Sequence, residues 1–290
     1  MASTRLIRKV YPVVGIVPTV SRINLFQPSQ TATKHNMHHS LPQSPEPAPD
    51  QGDSLRIAET FSSIQGEGKL TGVPSFFIRT SGCNLRCSWC DTPYASWQPE
   101  GPVRTIEDIV DEARNSPARH AVITGGEPML PTAITPLSHA LKDAGFHITI
   151  ETAGTIVRPV ACDLISISPK LANSTPADDP RDQAGTWAKR HETRRLNPDA
   201  LRALWQGDND RQCKFVVTSP DDLAEIQAVI KMLDQGAQTP SRPDDILLMP
   251  EGIAEPTKAA RDAVQRICMD TGYRYCTRLH IHLYGDARGT

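Results

Sequence analysis

The sequence has no apolar run approaching the roughly 20 residues needed to cross a bilayer, so no membrane span is expected. It has no excess of one charge either. Its 31 Lys and Arg stand against 33 Asp and Glu, a formal net charge of -2, so no overall field draws it to nucleic acid or an anionic surface. Cysteine is scarce for the length. Seven cysteines in 290 residues are too few for a disulfide framework, and their odd number would strand a thiol. A reduced, cytoplasmic setting and a small-molecule substrate are the expectations these absences leave. No internal repeat is evident, and no acidic residue precedes Glu46.

What is present fits a globular chain: 38% of residues are apolar and 22% charged. The first stretch stands apart. It is basic, poor in acids, and ends in the Pro- and Ser-rich SLPQSPEPAPD, so residues 1–53 read as a disordered extension. An organellar transit peptide or a misplaced start codon would look the same. Residues 54–290 are then one catalytic domain.

From Leu55 onward, short β-branched runs alternate with amphipathic helical patterns, the signature of a mostly parallel βα protein. Strands are expected over Ser75–Thr80, Ala121–Thr124, Ile148–Glu151, Leu164–Ser168, Phe215–Thr218 and Ile246–Met249, with helices over Thr105–Arg114, Ala133–Ala144, Pro220–Leu233 and Pro256–Asp270. Thr105 and Pro220 sit at plausible caps, with acids in the turns that follow. Six such strands predict an α/β fold of the incomplete, partial TIM-type barrel kind with parallel strands, since a closed barrel needs eight. A polar stretch over residues 172–212 interrupts the alternation and is too long for a plain connection. A solvated insert with a helix near Asp199–Trp205 is the simplest reading; a lid or an oligomer contact is the alternative.

Three cysteines crowd together in Cys83-Asn-Leu-Arg-Cys87-Ser-Trp-Cys90, directly after the first expected parallel strand, while Cys162, Cys213, Cys268 and Cys276 are scattered where buried structural thiols are ordinary. Spacings of three and two let one tight loop reach three corners of a [4Fe-4S] cubane. The fourth iron is then open. It can chelate the amino and carboxylate groups of S-adenosylmethionine (SAM), whose reductive cleavage yields a radical that abstracts hydrogen. Zinc is the alternative, but it commonly takes four protein ligands and no neighbouring Cys or His supplies a fourth.

The C-x3-C-x2-C spacing resembles the signature of the radical SAM superfamily. Trp89 stands where that superfamily usually places an aromatic residue near the adenine, although plain loop packing would also account for it. Thr124-Gly125-Gly126-Glu127-Pro128 resembles the superfamily's GGEP motif, with side-chain-free Gly126 admitting the methionyl end of SAM. By the same resemblance Glu151, Ser168 and Lys170 would contact SAM, and Met249-Pro250-Glu251 ends a further strand on the same rim.

A narrower resemblance lies in Phe61-Ser-Ser-Ile64-Gln65-Gly66-Glu67-Gly68, Gly72-Val-Pro74-Ser-Phe-Phe-Ile-Arg79 and Cys90-Asp91-Thr92. This set resembles the 7-carboxy-7-deazaguanine synthase family of queuosine biosynthesis. The resemblance implies a carbon–nitrogen lyase that contracts 6-carboxy-5,6,7,8-tetrahydropterin to 7-carboxy-7-deazaguanine with loss of ammonia. It implies that Ile64, Gln65 and Gly66 meet the pterin, Arg79 its carboxylate, Thr92 a magnesium ion, and Thr124 the substrate beside SAM. It further implies an external electron donor of the flavodoxin or ferredoxin type and a homodimer. The closing segment from Leu279 to Thr290 resembles the family's C-terminus, which folds back so that Thr290 offers a carboxylate to substrate; a frayed tail is the alternative. His280 and His282 alternate along a strand-like run. Rival readings are another radical SAM enzyme, such as a glycyl-radical activase, and a zinc-stabilised module without catalysis.

Overall fold

The computed structural model describes residues 52–290, so the extension expected over residues 1–53 falls almost wholly outside them. Nine strands form one sheet: β1 (Ser54–Ile64), β2 (Pro74–Thr80), β3 (Val103–Thr105), β4 (His120–Gly125), β5 (His147–Thr152), β6 (Leu164–Ile167), β7 (Asp210–Val217), β8 (Ile246–Pro250) and β9 (Arg274–Tyr275). The helices are α1 (Ile106–Asn115), α2 (Ile134–Asp143), α3 (Thr186–Arg194), α4 (Pro198–Trp205), α5 (Asp222–Leu233), α6 (Lys258–Thr271) and α7 (Leu279–Tyr284).

The sheet runs β3-β1-β2-β4-β5-β6-β7-β8-β9. From β2 to β9 every pairing is parallel, whereas β1 pairs antiparallel with both β2 and β3. The outcome is an open, mostly parallel α/β sheet of the partial-barrel kind. All six expected strands are present, within a few residues of the expected bounds. The three additional ones are the antiparallel pair β1 and β3 at one edge and the two-residue β9 at the other.

Parallel strands buried on both faces should be apolar throughout, and the departures from that rule build the site. One parity of each strand (Phe76 and Ile78, Ala121 and Ile123, Ile148 and Ile150, Ile165 and Ile167, Phe215 and Val217) packs with the helices in one continuous core. Burying each large apolar side chain contributes roughly 1.5–3 kcal/mol. The other parity carries Arg79, Thr124, Glu151, Ser166, Lys214 and Met249, which line a single cavity of about 490 Å³. Beneath it lies a polar plug: the His120 ring is hydrogen-bonded to Ser75 Oγ at 2.7 Å and Thr149 Oγ1 at 2.8 Å.

Local signals explain the helix starts. Thr105 caps α1 by accepting from the Asp108 amide, and Thr257 caps α6. Pro220 is not a cap; α5 begins at Asp222, whose carboxylate instead gathers the Thr218 and Ser219 amides at 2.7 and 3.1 Å. The polar 172–212 stretch differs more from expectation. Its second helix, α4, buries Leu201 and Trp205 completely and serves as the crossover from β6 to β7, and the stretch's last residues belong to β7. The run holding His280 and His282 is helical, not extended: its alternation carries a strand period, but the Leu279 amide joins the Gly66 carbonyl at 2.9 Å as α7 begins. No helix among the described residues is long and apolar enough to cross a membrane.

Candidate active site

The cysteine loop leaves β2 through Gly82, whose φ of 114° suits glycine, and whose amide donates to the Ala95 carbonyl at 2.8 Å. Cys83, Cys87 and Cys90 all line the cavity. Much of what holds this loop comes from the polar insert. The Arg86 amide donates to His191 Nδ1 at 3.1 Å, and His191 Nε2 meets Ser174 Oγ at 2.9 Å. Since Ser174 Oγ donates onward to the Leu171 carbonyl, His191 is neutral with its proton on Nε2. Burial and the nearby Arg195 charge push that imidazole down to about 4. The Arg86 guanidinium donates to the Cys83 and Leu85 carbonyls at 2.7 Å and stacks 4.0 Å from the Trp187 ring.

The donor set suits an iron–sulfur cluster. Burial, then the Glu127 charge, pushes the Cys83 thiol up to about 12, and burial likewise raises Cys87. Such thiols ionise in this setting when a metal takes the thiolate. Among the described residues, no three His, Cys, Asp or Glu side chains converge as a single zinc ion would need. The three thiols share one wall, which suits the separated corners of a cubane.

Beside the loop, the glycines of the Thr124–Pro128 turn have a reason the sequence did not reveal. A Cβ on Gly126 would stand 2.2 Å from the Gly82 carbonyl oxygen and 2.4 Å from that of Ala95. Gly126 therefore lets the turn press against the cysteine loop, in addition to lining the cavity. Glu127, fully buried, does not line it; its carboxylate takes the Met129 and Ala153 amides and the Thr152 hydroxyl at 2.7–3.0 Å, fastening β4 to β5. Glu151 faces the cavity and accepts from Gln65 Nε2 and Thr124 Oγ1, each at 3.2 Å. Lys170 Nζ donates to Ser168 Oγ at 2.8 Å and lies 5.6 Å from the Trp89 ring. Trp89 packs on Val216, Leu247 and Met249 while also lining the cavity, so it serves the loop's packing as well as the wall.

Ile64, Gln65, Gly66, Arg79, Thr92 and Thr290 line the same cavity, with the Thr92 hydroxyl 3.9 Å from Cys90 Sγ. The structure thus brings to one cavity every residue to which the sequence assigned a contact with cluster, SAM, magnesium or substrate, while Glu127, Glu251 and His282 do not line it. Arg79 does not stand alone. Its Nε donates to Glu59 Oε1 at 2.7 Å, and the Tyr94 hydroxyl donates to the same oxygen at 2.7 Å. Burial would raise the Glu59 carboxyl, but the bonds from Tyr94 and Arg79 hold it below the usual carboxylate range. Thr92 immediately precedes a short 3₁₀ turn, Pro93–Ala95, and its hydroxyl makes no capping bond there. The hydroxyl of Ser96, at the end of that turn, lies 3.1 Å from Cys90 Sγ.

Sequence reasoning missed a buried charge cluster that also lines the cavity. Glu67 pairs with Lys214 and, at 3.2 Å, with Arg278 Nε. Burial opposes ionisation of Glu67, yet the Lys214 and Arg278 charges bring its pKa to about 2. The cluster itself holds two cations against one carboxylate, and the Glu151 carboxylate also acts on Lys214. Lys214 is separated from Glu67 by 147 positions, so no local pattern could have paired them. Its one signal was a charged residue just before the apolar run Phe215–Val217.

The Radical SAM superfamily signature matches residues 77–192. The chain is 47% identical to the 7-carboxy-7-deazaguanine synthase of Rhodopirellula baltica over 251 residues, covering 86% of this chain and 93% of that one. It is 45% identical to the enzyme of the same name from Halobacterium salinarum over 243 residues, 82% of this chain and 94% of that one. The crystal structure of QueE from Escherichia coli superposes with a TM-score of 0.57 at 26% identity, over 78% of this chain and 95% of that one. With relatives of this identity spanning nearly their whole length, the chain belongs to the 7-carboxy-7-deazaguanine synthase family of radical SAM enzymes.

Proposed function

We propose that this chain converts 6-carboxy-5,6,7,8-tetrahydropterin to 7-carboxy-7-deazaguanine with release of ammonia, using a [4Fe-4S] cluster and SAM. One observation carries the reading: three cysteine thiols from one loop, the Glu151–Gln65 carboxylate–amide pair and Arg79 of β2 line one cavity. When bound, the cluster and SAM supply a hydrogen-abstracting organic radical, generated after one-electron reduction. Substrate and product differ by one ammonia, so the overall change is redox-neutral.

The chain's own part is positioning, because a primary radical reacts with whatever lies nearest. Cys83, Cys87 and Cys90 would hold the cluster. Glu151 would take the ribose hydroxyls of SAM and Ser168 and Lys170 its polar groups, with Trp89 beside the adenine and Gly126 under the methionyl end. Ile64, Gln65 and Gly66 would meet the pterin edge, and Thr124, bonded to Glu151, would stand between substrate and SAM. Among the described residues Arg79 hydrogen-bonds through Nε to Glu59 and lies 5.9 Å from the Phe61 ring, which would leave its two terminal nitrogens for the substrate carboxylate. The Glu67–Lys214–Arg278 cluster also lines the cavity that the anionic groups enter.

Magnesium belongs to this reading as well, with Thr92 as its protein ligand, since a hard cation suits hydroxyl and carboxylate oxygens. So do a flavodoxin- or ferredoxin-type donor, a homodimer and a cytoplasmic setting. We take residues 54–290 as the catalytic domain, with Thr290 offering its carboxylate to substrate. The test is anaerobic reconstitution followed by incubation with the carboxy-tetrahydropterin, SAM, magnesium and a strong reductant. A deazaguanine product with 5′-deoxyadenosine is expected, and cleavage of SAM with no deazapurine would point to another radical SAM activity.

A further inference from the structure

The segment following α7, residues 285–290, lines the cavity at every position, yet little of it is tied down. The Gly285 amide closes α7 on the Ile281 carbonyl, and the Thr290 hydroxyl donates within the segment to Ala287. Among the described residues, the hydrogen bonds joining this segment to β1 and to the loop after β2 come from one side chain, Arg288. Its Nε donates to Glu59 Oε2 at 3.1 Å, Nη2 to the Ala58 carbonyl at 3.1 Å, and Nη1 to Glu100. Its guanidinium also lies 4.0 Å from the Tyr94 ring. Gly285 and Gly289 flank it at φ of 71° and 79°, with open space where a Cβ would stand. A glycine is needed there for its backbone freedom rather than for room.

The Arg288 contacts end on the groups that aim Arg79. Glu59 offers Oε1 to Arg79 and Tyr94, and Oε2 to Arg288. While Arg288 occupies Oε2, Glu59 holds Arg79 by one nitrogen and the remainder of its fork stays available. Without Arg288, Oε2 is open to a second, parallel bond from Arg79, the two-pronged geometry that an arginine and a carboxylate prefer. That bond would turn the fork away from the cavity.

We propose that Arg288 is a positioning residue: a latch that closes residues 285–290 over the substrate side of the cavity and, through the shared Glu59 carboxylate, keeps Arg79 directed at the substrate carboxylate. The proposal rests on the function given above and extends it to a residue to which the sequence assigned no role. Within the structure its guanidinium is engaged by Glu59, Glu100, the Ala58 carbonyl and the Tyr94 ring. It acts through Glu59 and Tyr94.

The full chain, reconstituted with its cluster, is compared with Arg288→Ala, Arg288→Lys and Glu59→Gln. For Arg288→Ala the expected result is a rise of about tenfold in KM for the carboxy-tetrahydropterin, with kcat within about threefold. SAM affinity and the electron paramagnetic resonance spectrum of the reduced cluster should not change, as they would for a merely structural defect. Arg288→Lys keeps the charge but loses the fork, and should recover only part of the affinity. A second readout needs no turnover. Trypsin can cut after Arg288 only when the segment lifts, so Glu59→Gln should speed cleavage between Arg288 and Gly289 severalfold, and substrate should slow it in the unaltered protein. Unchanged KM in Arg288→Ala, or a loss of kcat and SAM binding together with KM, would overturn the latch. Unchanged cleavage in Glu59→Gln would overturn it as well. If the unaltered protein makes no deazaguanine, the assigned reaction fails, while the cleavage comparison still decides whether the latch exists.

Discussion

At the residue scale, the site depends on charged side chains whose partners fix their direction. Arg79 is the clearest case: anchored by one nitrogen to Glu59 and mostly buried, it is not free to swing to solvent. Replacing Arg79 with Ala removes a charge-assisted contact worth about 1.5–3 kcal/mol. Steady-state kinetics should then show kcat/KM reduced by about ten- to a hundredfold, with SAM binding unchanged. The residues that a motif could carry were legible in the sequence, because Cys83 to Cys90, Gln65 to Gly68 and Thr124 to Pro128 each sit within one turn or loop. Glu59, Lys214, Arg278 and Arg288 were not. Glu59 and Arg288 are 229 positions apart, and nothing in either neighbourhood announces the other.

At the element scale, the polar insert is the main lesson. Its charges read as a solvated coat, and α3 does expose most of its polar residues, but its inner side brings Trp187 and His191 to the cysteine loop. A lone histidine among arginines gives no hint of burial. Removing the ring in His191→Ala would leave the Arg86 amide and Ser174 short of a partner, costing about 1–3 kcal/mol. The expected measurement is a lower unfolding midpoint together with faster loss of iron to a chelator. Gly126→Ala tests the turn on the other side of the loop. Its new methyl group would meet backbone oxygens of Gly82 and Ala95, which cannot rotate aside, so reconstituted iron content should fall well below that of the unaltered protein. Equal iron content would show that the loop does not depend on this close approach. The α7 segment was misjudged for a plainer reason: its alternation carries a strand period, and in so short a helix tertiary contacts override the local pattern.

At the scale of the whole molecule, the partial barrel was legible because β-branched runs and amphipathic helices alternate from β2 to α6. The antiparallel edge β1 and β3 was less so, since β1 carries an irregular burial pattern and a register shift near Ile57. The polar plug was not legible at all. A barrel interior filled by Ser75, His120 and Thr149 in place of an apolar layer makes stability depend on pH. Burial, together with the charge of His147 and opposed only in part by Asp163, brings His120 down to about 4. An unfolded imidazole titrates near 6.5, so between those values the unfolded chain binds the extra proton. Stability is therefore full above about pH 6.5 and declines as the pH falls toward about 4. Denaturant titrations at pH 7 and pH 5 should differ by on the order of 1–3 kcal/mol from this group, and a midpoint that does not move would argue against a buried neutral ring.

All of these scales meet at the cysteine loop, which would offer three thiolates to the cluster and leave one iron for SAM. Electron paramagnetic resonance of the reduced, anaerobically reconstituted protein, recorded with and without SAM, tests this directly. A [4Fe-4S] spectrum whose g-values shift when SAM is added is the predicted result. A spectrum indifferent to SAM, or one that shows four protein ligands to the cluster, would contradict it.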